Sequence, residues 1–244
     1  MGNNPDISIV IPAYNEEVNL SSTLKDISAY LKKKDYSHEV IIVDDGSTDK
    51  TVDIAYPFSA LFDSLVILKN SPNRGKGFSV KKGVLSAKGD FVLFMDADNS
   101  TRIDQLEKMI PVLKEGYDIA MGSRRIPGAE VSKSQPFYRI ILGNIYIILS
   151  KLMLGSQVQD YNCGFKLYTK EAIKRLFPHL TMNDWSFDSE LIYLISKYRL
   201  KTREVPVKWE DKSKTSKVRP LRDGINSFLS LLKIRFNAIK NIYD

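Results

Sequence analysis

Phe91-Val-Leu-Phe-Met95 runs directly into Asp96-Ala-Asp98. A run that is apolar at every position, rather than at alternate ones, suits a strand covered on both faces. Such strands belong to parallel sheets flanked by helices. Those sheets meet their ligands just beyond the carboxyl ends of the strands. Asp96 and Asp98 therefore fall where a ligand would arrive. Two carboxylates one residue apart can hold Mg2+ or Mn2+ through oxygen. Alternatively, they cap the following helix, together with Asn99, Ser100 and Thr101.

The same grammar recurs through the first half. Apolar runs at 7–11, 39–43, 65–68 and 117–121 predict further strands, and helical stretches at about 15–34, 73–87 and 103–115 separate them. Asn15 is placed to cap the first helix, with Glu16 and Glu17 at its positive end. Alternating strands and helices of this kind predict an α/β fold with a mostly parallel central sheet. The polar clusters that follow the strands then gather along one sheet edge.

The second half reads as one or two helices over 136–154, a polar loop entering a strand over 158–168, and a short helix over 170–177. A loop leads into a helix over 184–195. Pro206 inside the strand at 202–209 puts that strand at a sheet edge. Residues 211–222 are strongly basic. A helix over 225–243 carries an apolar stripe of Ile225, Phe228, Leu229, Leu232, Phe236 and Ile239. The predicted organisation is one domain over 1–210, followed by a basic loop and an amphipathic helix over 211–244.

A net charge of +7 favours an anionic partner. No nucleic-acid motif accompanies the charge, so a phosphate or an acidic lipid fits better than DNA or RNA. The single cysteine, Cys163, excludes an internal disulfide and suits a reducing compartment. Two histidines leave little for a histidine-based metal site. The N-terminal residues lack a signal pattern, and no apolar run reaches the ~18–20 residues of a spanning helix. The expectation is a protein that lies on a membrane rather than crossing it.

Ile11-Pro-Ala-Tyr-Asn-Glu-Glu17, Val43-Asp-Asp-Gly-Ser-Thr-Asp49, Asn73-Arg-Gly-Lys-Gly77, Asp96-Ala-Asp98 and Gly122-Ser-Arg124, in this order, resemble the inverting family 2 glycosyltransferases. Gln159-Asp-Tyr-Asn-Cys-Gly-Phe-Lys166 and Trp185-Ser-Phe-Asp-Ser-Glu-Leu191 extend the resemblance to the branch that glycosylates dolichyl and polyprenyl phosphates. They look more like the dolichyl-phosphate β-glucosyltransferases than the mannose synthases. The resemblance implies a GT-A, Rossmann-like domain that transfers glucose from UDP-glucose to the lipid phosphate with inversion. A mannose synthase using GDP-mannose, or a nucleotide-sugar-binding subunit without catalysis, is the alternative.

The resemblance also implies roles. Pro12, Ala13, Tyr14 and Glu16 line the nucleotide pocket, and Asp44 or Asp45 bonds base or ribose, the other capping a helix. Arg74 and Lys76 reach the nucleotide or its phosphates, and Gly75 and Gly77 permit close backbone approach. Asp98, with Asp96 and Ala97 beside it, meets the diphosphate and the metal. Asp96 alternatively holds ribose or sugar. The mannose synthases carry a glutamine metal ligand where this chain has Ser100.

An acceptor phosphate needs positive charge more than it needs a base, and Arg124 leads the candidates, followed by Arg139 and Arg125. Lys214 and Lys217, in the basic segment 212–219, would close on a phosphate as a lid. Asp160 lies under the sugar, orienting hydroxyls, stabilising the transition state or acting as base. Trp185, Asp188 and Glu190 are further sugar-side candidates. Gln159 and Asn162 support the Asp160 loop, and Cys163 is a small buried residue. The lipid tail of the acceptor brings the site to a membrane surface, expected to be the cytoplasmic face. Residues 137–154 and the C-terminal helix are the expected contacts. A membrane-protein partner or a homo-oligomer is compatible with the same apolar faces.

Overall fold

A computed structural model describes residues 4–132, 137–212 and 220–244, with the backbone alone given at 137–142 and 220–227. The strands are β1 (Ile7–Ala13), β2 (His38–Asp44), β3 (Ser64–Lys69), β4 (Phe91–Met95), β5 (Ile119–Ser123), β6 (Glu130–Val131), β7 (Phe165–Thr169), β8 (Thr202–Pro206) and β9 (Lys208–Trp209). The helices are α1 (Leu20–Leu31), α2 (Thr51–Ala55), α3 (Lys76–Ser86), α4 (Leu106–Lys114), α5 (Phe137–Leu154), α6 (Lys170–Leu176), α7 (Phe187–Lys197) and α8 (Pro220–Ile239).

Seven strands form one sheet in the order β3-β2-β1-β4-β7-β5-β8, and β6 pairs with β9 in a small second sheet. The large sheet is parallel except at β7, which runs antiparallel to both β4 and β5. This is the mostly parallel, helix-flanked sheet that the apolar runs predict. Successive residues of one strand feed opposite layers. Ile9 and Ile11 join α1 and α4 on one face, whereas Val10 meets α3, α7 and α8 on the other. Pro206 ends the edge strand β8, where its missing N–H costs no ladder bond.

Several boundaries differ from the sequence expectation. The first helix starts at Leu20 rather than Asn15. Asn15 takes φ 53° and joins the loop after β2, where its N–H donates to Ser47 Oγ and its Oδ1 accepts from the Thr48 N–H. Glu16 and Glu17 donate their N–H groups to Thr51 Oγ1 and Asp49 Oδ2. These bonds tie the first two strand-end loops together and use the residues that would otherwise begin the helix. The fifth strand is shifted to Ile119–Ser123, which brings Gly122 and Ser123 into the sheet.

The C-terminal helix begins at Pro220, which shortens the basic connection before it. Its buried face is Leu231, Ile234 and Asn237, while Phe228, Leu229, Leu232, Phe236 and Ile239 are exposed. The stripe found by periodicity therefore faces outward. The helix is held by Leu231 and Ile234 in the core and by Asn237, whose Nδ2 donates to Thr181 Oγ1 and the Tyr243 hydroxyl of a buried polar cluster around Glu190. Glu190, at 0% exposure, accepts from the Thr181 and Met182 N–H groups at 2.8 Å each, from Thr181 Oγ1 at 2.5 Å and from the Tyr243 hydroxyl at 2.7 Å. Removing its carboxylate orphans several buried donors. Glu190→Ala should lower the unfolding free energy by about 3 kcal/mol, and Tyr243→Phe by about 1 kcal/mol, measured by urea denaturation.

Candidate active site

The parallel strands end on one side of the sheet. Because β7 is reversed, the loop that precedes it, 160–164, lies on that same side. The loops after β1, β2, β3, β4 and β5 therefore share an edge with a segment from much later in the chain. Backbone bonding fixes the junction: the Asp96 N–H donates to Gly164 O at 3.0 Å. A Cβ at position 164 would sit 1.9 Å from Asp96 Oδ2, so only glycine lets this loop approach the acid.

Asp96 and Asp98 leave β4 as expected. Lys76 Nζ, from the start of α3, pairs with Asp96 Oδ1 at 2.7 Å. Burial works against the Lys76 charge, but Asp96 and Asp188 together outweigh it and the lysine pKa is raised. The same ammonium lies 4.4 Å from the Trp185 ring centroid. Trp185, 67% exposed, thus already stacks on a cation, a contact not foreseen for it. Asp98 Oδ1 accepts from the Ser100 N–H at 2.9 Å. Burial and then the Asp96 charge push the Asp98 pKa up.

A carboxylate held against its ionisation by a like-charged neighbour is one that a cation would stabilise. Asn99, in the same turn at φ 57°, leaves a buried Oδ1 without a partner. These donors fit a hard divalent ion. Among the described residues no group of three or more histidine, cysteine or acidic side chains converges on one point. Asp96 and Asp98 are the carboxylates that would hold such an ion.

Asp45 is a framework residue. It accepts from the Arg74 and Gly75 N–H groups at 2.9 and 2.8 Å and from Asn70 Nδ2 at 2.8 Å. Its carboxylate shapes the loop entering α3. Gly75, at φ 99°, fits a conformation that a side chain would strain, and a Cβ there would meet Asn183 O at 2.3 Å. Asp44 accepts from the Ser47 N–H at 3.1 Å. Pro12 and Ala13 end β1, and Tyr14 stands 41% exposed beside them. Glu16 Oε2 accepts from Asn19 Nδ2 at 2.7 Å. Arg74 lies over the Phe78 ring at 4.3 Å. Ala97 is buried and its carbonyl accepts from Thr23 Oγ1.

Arg124 and Asp160, separately foreseen as phosphate and sugar residues, form one pair. Arg124 Nε donates to Asp160 Oδ2 at 2.7 Å and Nη2 to Oδ1 at 2.8 Å, and the Arg124 N–H also reaches Oδ2 at 2.9 Å. Burial favours the neutral Asp160, but the guanidinium prevails and lowers its pKa. Both of its carboxylate oxygens are engaged by Arg124. Glu204 on β8 accepts from the Gln159 and Asp160 N–H groups and fixes the loop from below. Trp209 lies 5.2 Å from the guanidinium.

Two sugar-side candidates have structural partners instead. Glu190 anchors the polar cluster that α8 joins, as described above. Asp188 is buried and pairs with Lys166 at 2.6 Å. Cys163 is a buried thiol whose pKa burial raises to about 12, which fits the inert role expected for it. Gln159 accepts from Lys151, and Asn162 stands exposed on the same loop. Lys214 and Lys217, and the side chain of Arg139, lie outside the described residues. Sequence reading missed Lys166, Glu204 and Trp209. Lys166 had a signal: a lone charge within the apolar strand Phe165–Thr169.

The raised pKa of Asp98 sets a pH dependence. Without metal, its carboxyl keeps its proton to a higher pH than an ordinary aspartate, and a cation must displace that proton. Mn2+ affinity should therefore fall on acidification, starting above the usual aspartate range. Titrating Mn2+ against pH by electron paramagnetic resonance, with Asp98→Asn as a binding-deficient control, measures the effect.

Residues 8–177 match the family model described as glycosyl transferase family 2. Dolichyl-phosphate β-glucosyltransferase of Dictyostelium discoideum is 32% identical over 249 residues, covering 97% of this chain and 76% of that protein. The Homo sapiens protein of that name is 31% identical over 246 residues, covering 96% and 76%. Among solved structures, glucosyl-3-phosphoglycerate synthase of Mycobacterium tuberculosis, crystallised with Mn2+, UDP-glucose and phosphoglyceric acid, aligns with a TM-score of 0.68 at 20% identity. That alignment covers 94% of this chain and 79% of that one. The sheet order and the length of the sequence match agree: the chain belongs to glycosyl transferase family 2.

Proposed function

We propose that the protein transfers glucose from UDP-glucose to the phosphate of a dolichyl or other polyprenyl phosphate, inverting the anomeric centre to give a β-linked product. The observation that carries this reading is the buried Arg124–Asp160 pair on the sheet edge that also bears Asp96 and Asp98. The guanidinium held in place by Asp160 offers N–H donors to an acceptor phosphate beside a diphosphate site. The similarity to dolichyl-phosphate β-glucosyltransferases along nearly the whole chain supports the choice of donor and acceptor.

The loops after β1 and β2 receive the nucleotide, with Tyr14, Glu16 and Asp44 as the side chains at hand. Asp96 and Asp98 hold Mg2+ or Mn2+, which when bound supplies positive charge to the departing diphosphate. Lys76, drawn to Asp96 in the free protein, lies where it can turn to a phosphate. A phosphate monoester has its second pKa near ~6 and is largely ionised at neutral pH. It needs no strong base, which agrees with the lowered pKa of Asp160. Asp160 instead orients Arg124, using Nε and Nη2 and leaving the Nη1 edge to the acceptor.

Positive charge continues from there along a groove lined by Arg125, Asn144, Ile147, Ile148, Lys151 and Gln159, about 350 Å³ in volume. Arg125 and Lys151 bond the neutral amides of Asn144 and Gln159, at 2.6 and 2.8 Å, contacts that leave their charges uncancelled. A lipid phosphate fits the cationic lining, and an isoprenoid tail fits the isoleucines. The groove opens beside the exposed Ile145, Ile148 and Leu152 of α5, which contacts α8 and its own exposed apolar stripe. Among the described residues no helix is long and apolar enough to cross a membrane. These faces, with Lys233 and Arg235 exposed on α8 and Lys240 exposed just after it, suit an anionic bilayer surface. The buried reduced thiol of Cys163 suits the cytoplasmic face.

The purified protein, incubated with labelled UDP-glucose, polyprenyl phosphate and Mn2+, should form a β-linked lipid-phosphate glucose. Asp98→Asn should reduce kcat by about 10²–10³-fold. Transfer from GDP-mannose in preference, or no lipid product at all, would sink the reading. Flotation with anionic vesicles tests the surface: Leu152→Glu combined with Phe236→Glu should abolish binding while sparing turnover of detergent-solubilised acceptor.

A further inference from the structure

Lys166 is a charged residue that the reaction does not use. It sits in β7 with its side chain 0% exposed. An ammonium has three donors, and Lys166 Nζ has three acceptors. They are Tyr161 O at 3.1 Å, Cys163 O at 2.8 Å and Asp188 Oδ1 at 2.6 Å. Asp188, from α7, supplies the counter-charge and is itself 3% exposed in its side chain.

The two carbonyls belong to the turn between Asp160 and Gly164. One end of that turn presents Asp160 to Arg124. The other end is the glycine whose carbonyl accepts from the Asp96 N–H and whose missing side chain admits the Asp96 carboxylate. A single ammonium thus grips the backbone between the two acidic groups of the site. Stability alone is a weak reason for the arrangement, because an apolar pair of similar volume typically serves a core as well as a buried ion pair. An apolar pair could not hold two carbonyls.

We propose that Lys166, anchored by Asp188, is a positioning residue that fixes the Tyr161–Gly164 turn, so that Asp160 meets Arg124 while Gly164 backs Asp96. The consequence for turnover rests on the glycosyl-transfer reading above; the consequence for the turn does not. Cys163 lies inside the turn and is the only cysteine of the chain, which makes it a built-in reporter.

The test uses the full chain carrying Lys166→Met with Asp188→Leu, which removes both buried charges and leaves neither orphaned. Asp188→Glu, which keeps the counter-charge for the ammonium, is the conservative companion. Three measurements are made beside the melting temperature: the rate of Cys163 modification by a thiol reagent, the affinity for UDP with Mn2+, and kcat with KM for UDP-glucose. In the double variant, Cys163 should react about tenfold faster or more and kcat should fall about 100-fold. The UDP affinity and KM should stay close to wild type, and the melting temperature should fall by only a few degrees, the cost of two carbonyls left without their donor. Asp188→Glu should retain at least about a tenth of kcat and protect Cys163.

Unchanged Cys163 reactivity in the double variant overturns the proposal, whatever the turnover. So does a loss of kcat that merely tracks a loss of melting temperature and UDP affinity. If Asp188→Glu, with the ammonium and its counter-charge both present, fails as badly as the double variant, the grip on the carbonyls is not the cause and the proposal falls. Should wild type make no lipid product while Cys163 responds as stated, the glycosyl-transfer reading fails and the assignment of Lys166 to the turn stands.

Discussion

The reversed direction of β7 is the constraint on which the site depends. A purely parallel sheet would place on its ligand edge only the loops that follow strands. Inserting one antiparallel strand between β4 and β5 brings a loop that precedes a strand to the same edge. That loop carries Asp160 and Gly164. The pairing of Met95 with Phe165 sets the register, and Gly164 then falls against Asp96. A slip by one residue would turn every β7 side chain to the opposite layer and carry Lys166 away from Asp188.

Charges in the site are balanced before any ligand arrives. Lys76 answers Asp96, Arg124 answers Asp160 and Lys166 answers Asp188. Only the first of these pairs has appreciable exposure on its acidic side, with 32% of the Asp96 side chain accessible. The other two acids are enclosed. Breaking a buried pair is costly, about 3–5 kcal/mol when one partner is lost. The two inner pairs therefore act as fixed framework, while the outer pair can exchange partners with an incoming phosphate and cation. Asp98, whose pKa is raised by burial and by Asp96, is the member of this group with no lysine or arginine bonded to it among the described residues.

Much of this was legible from residues alone, and the limits have physical causes. Unbroken apolar runs revealed the parallel strands, because burial on both faces leaves no room for alternation. The acids at the end of β4 were legible for the same reason. Pairings across distant segments were not. Arg124 and Asp160 each looked like ligand residues, since nothing in their local sequence shows that they meet. Glu190 looked like a site acid near a helix start, yet its partners come from residues 181–182 and Tyr243. Asn15 looked like a cap, but the loop after β2 offered its backbone better partners. On α8, periodicity located a real apolar stripe and could not say which stripe the core would take; the narrower face with Leu231 and Ile234 was buried instead.

The Glu190 cluster has a consequence for how the site is assembled. Glu190 binds the backbone at Thr181 and Met182, and the neighbouring Asn183 carbonyl lies against Gly75 at the start of α3. Tyr243 completes the cluster from near the C-terminal end of the sequence. The wall of the donor loop is therefore built from three segments far apart in the chain. Contacts of that kind carry the loop-closure entropy of everything between them. The strands of the sheet pair side by side, but the wall of the donor loop depends on segments brought together from distant parts of the chain, so the entrance at Gly75 depends on residues as far along it as Tyr243.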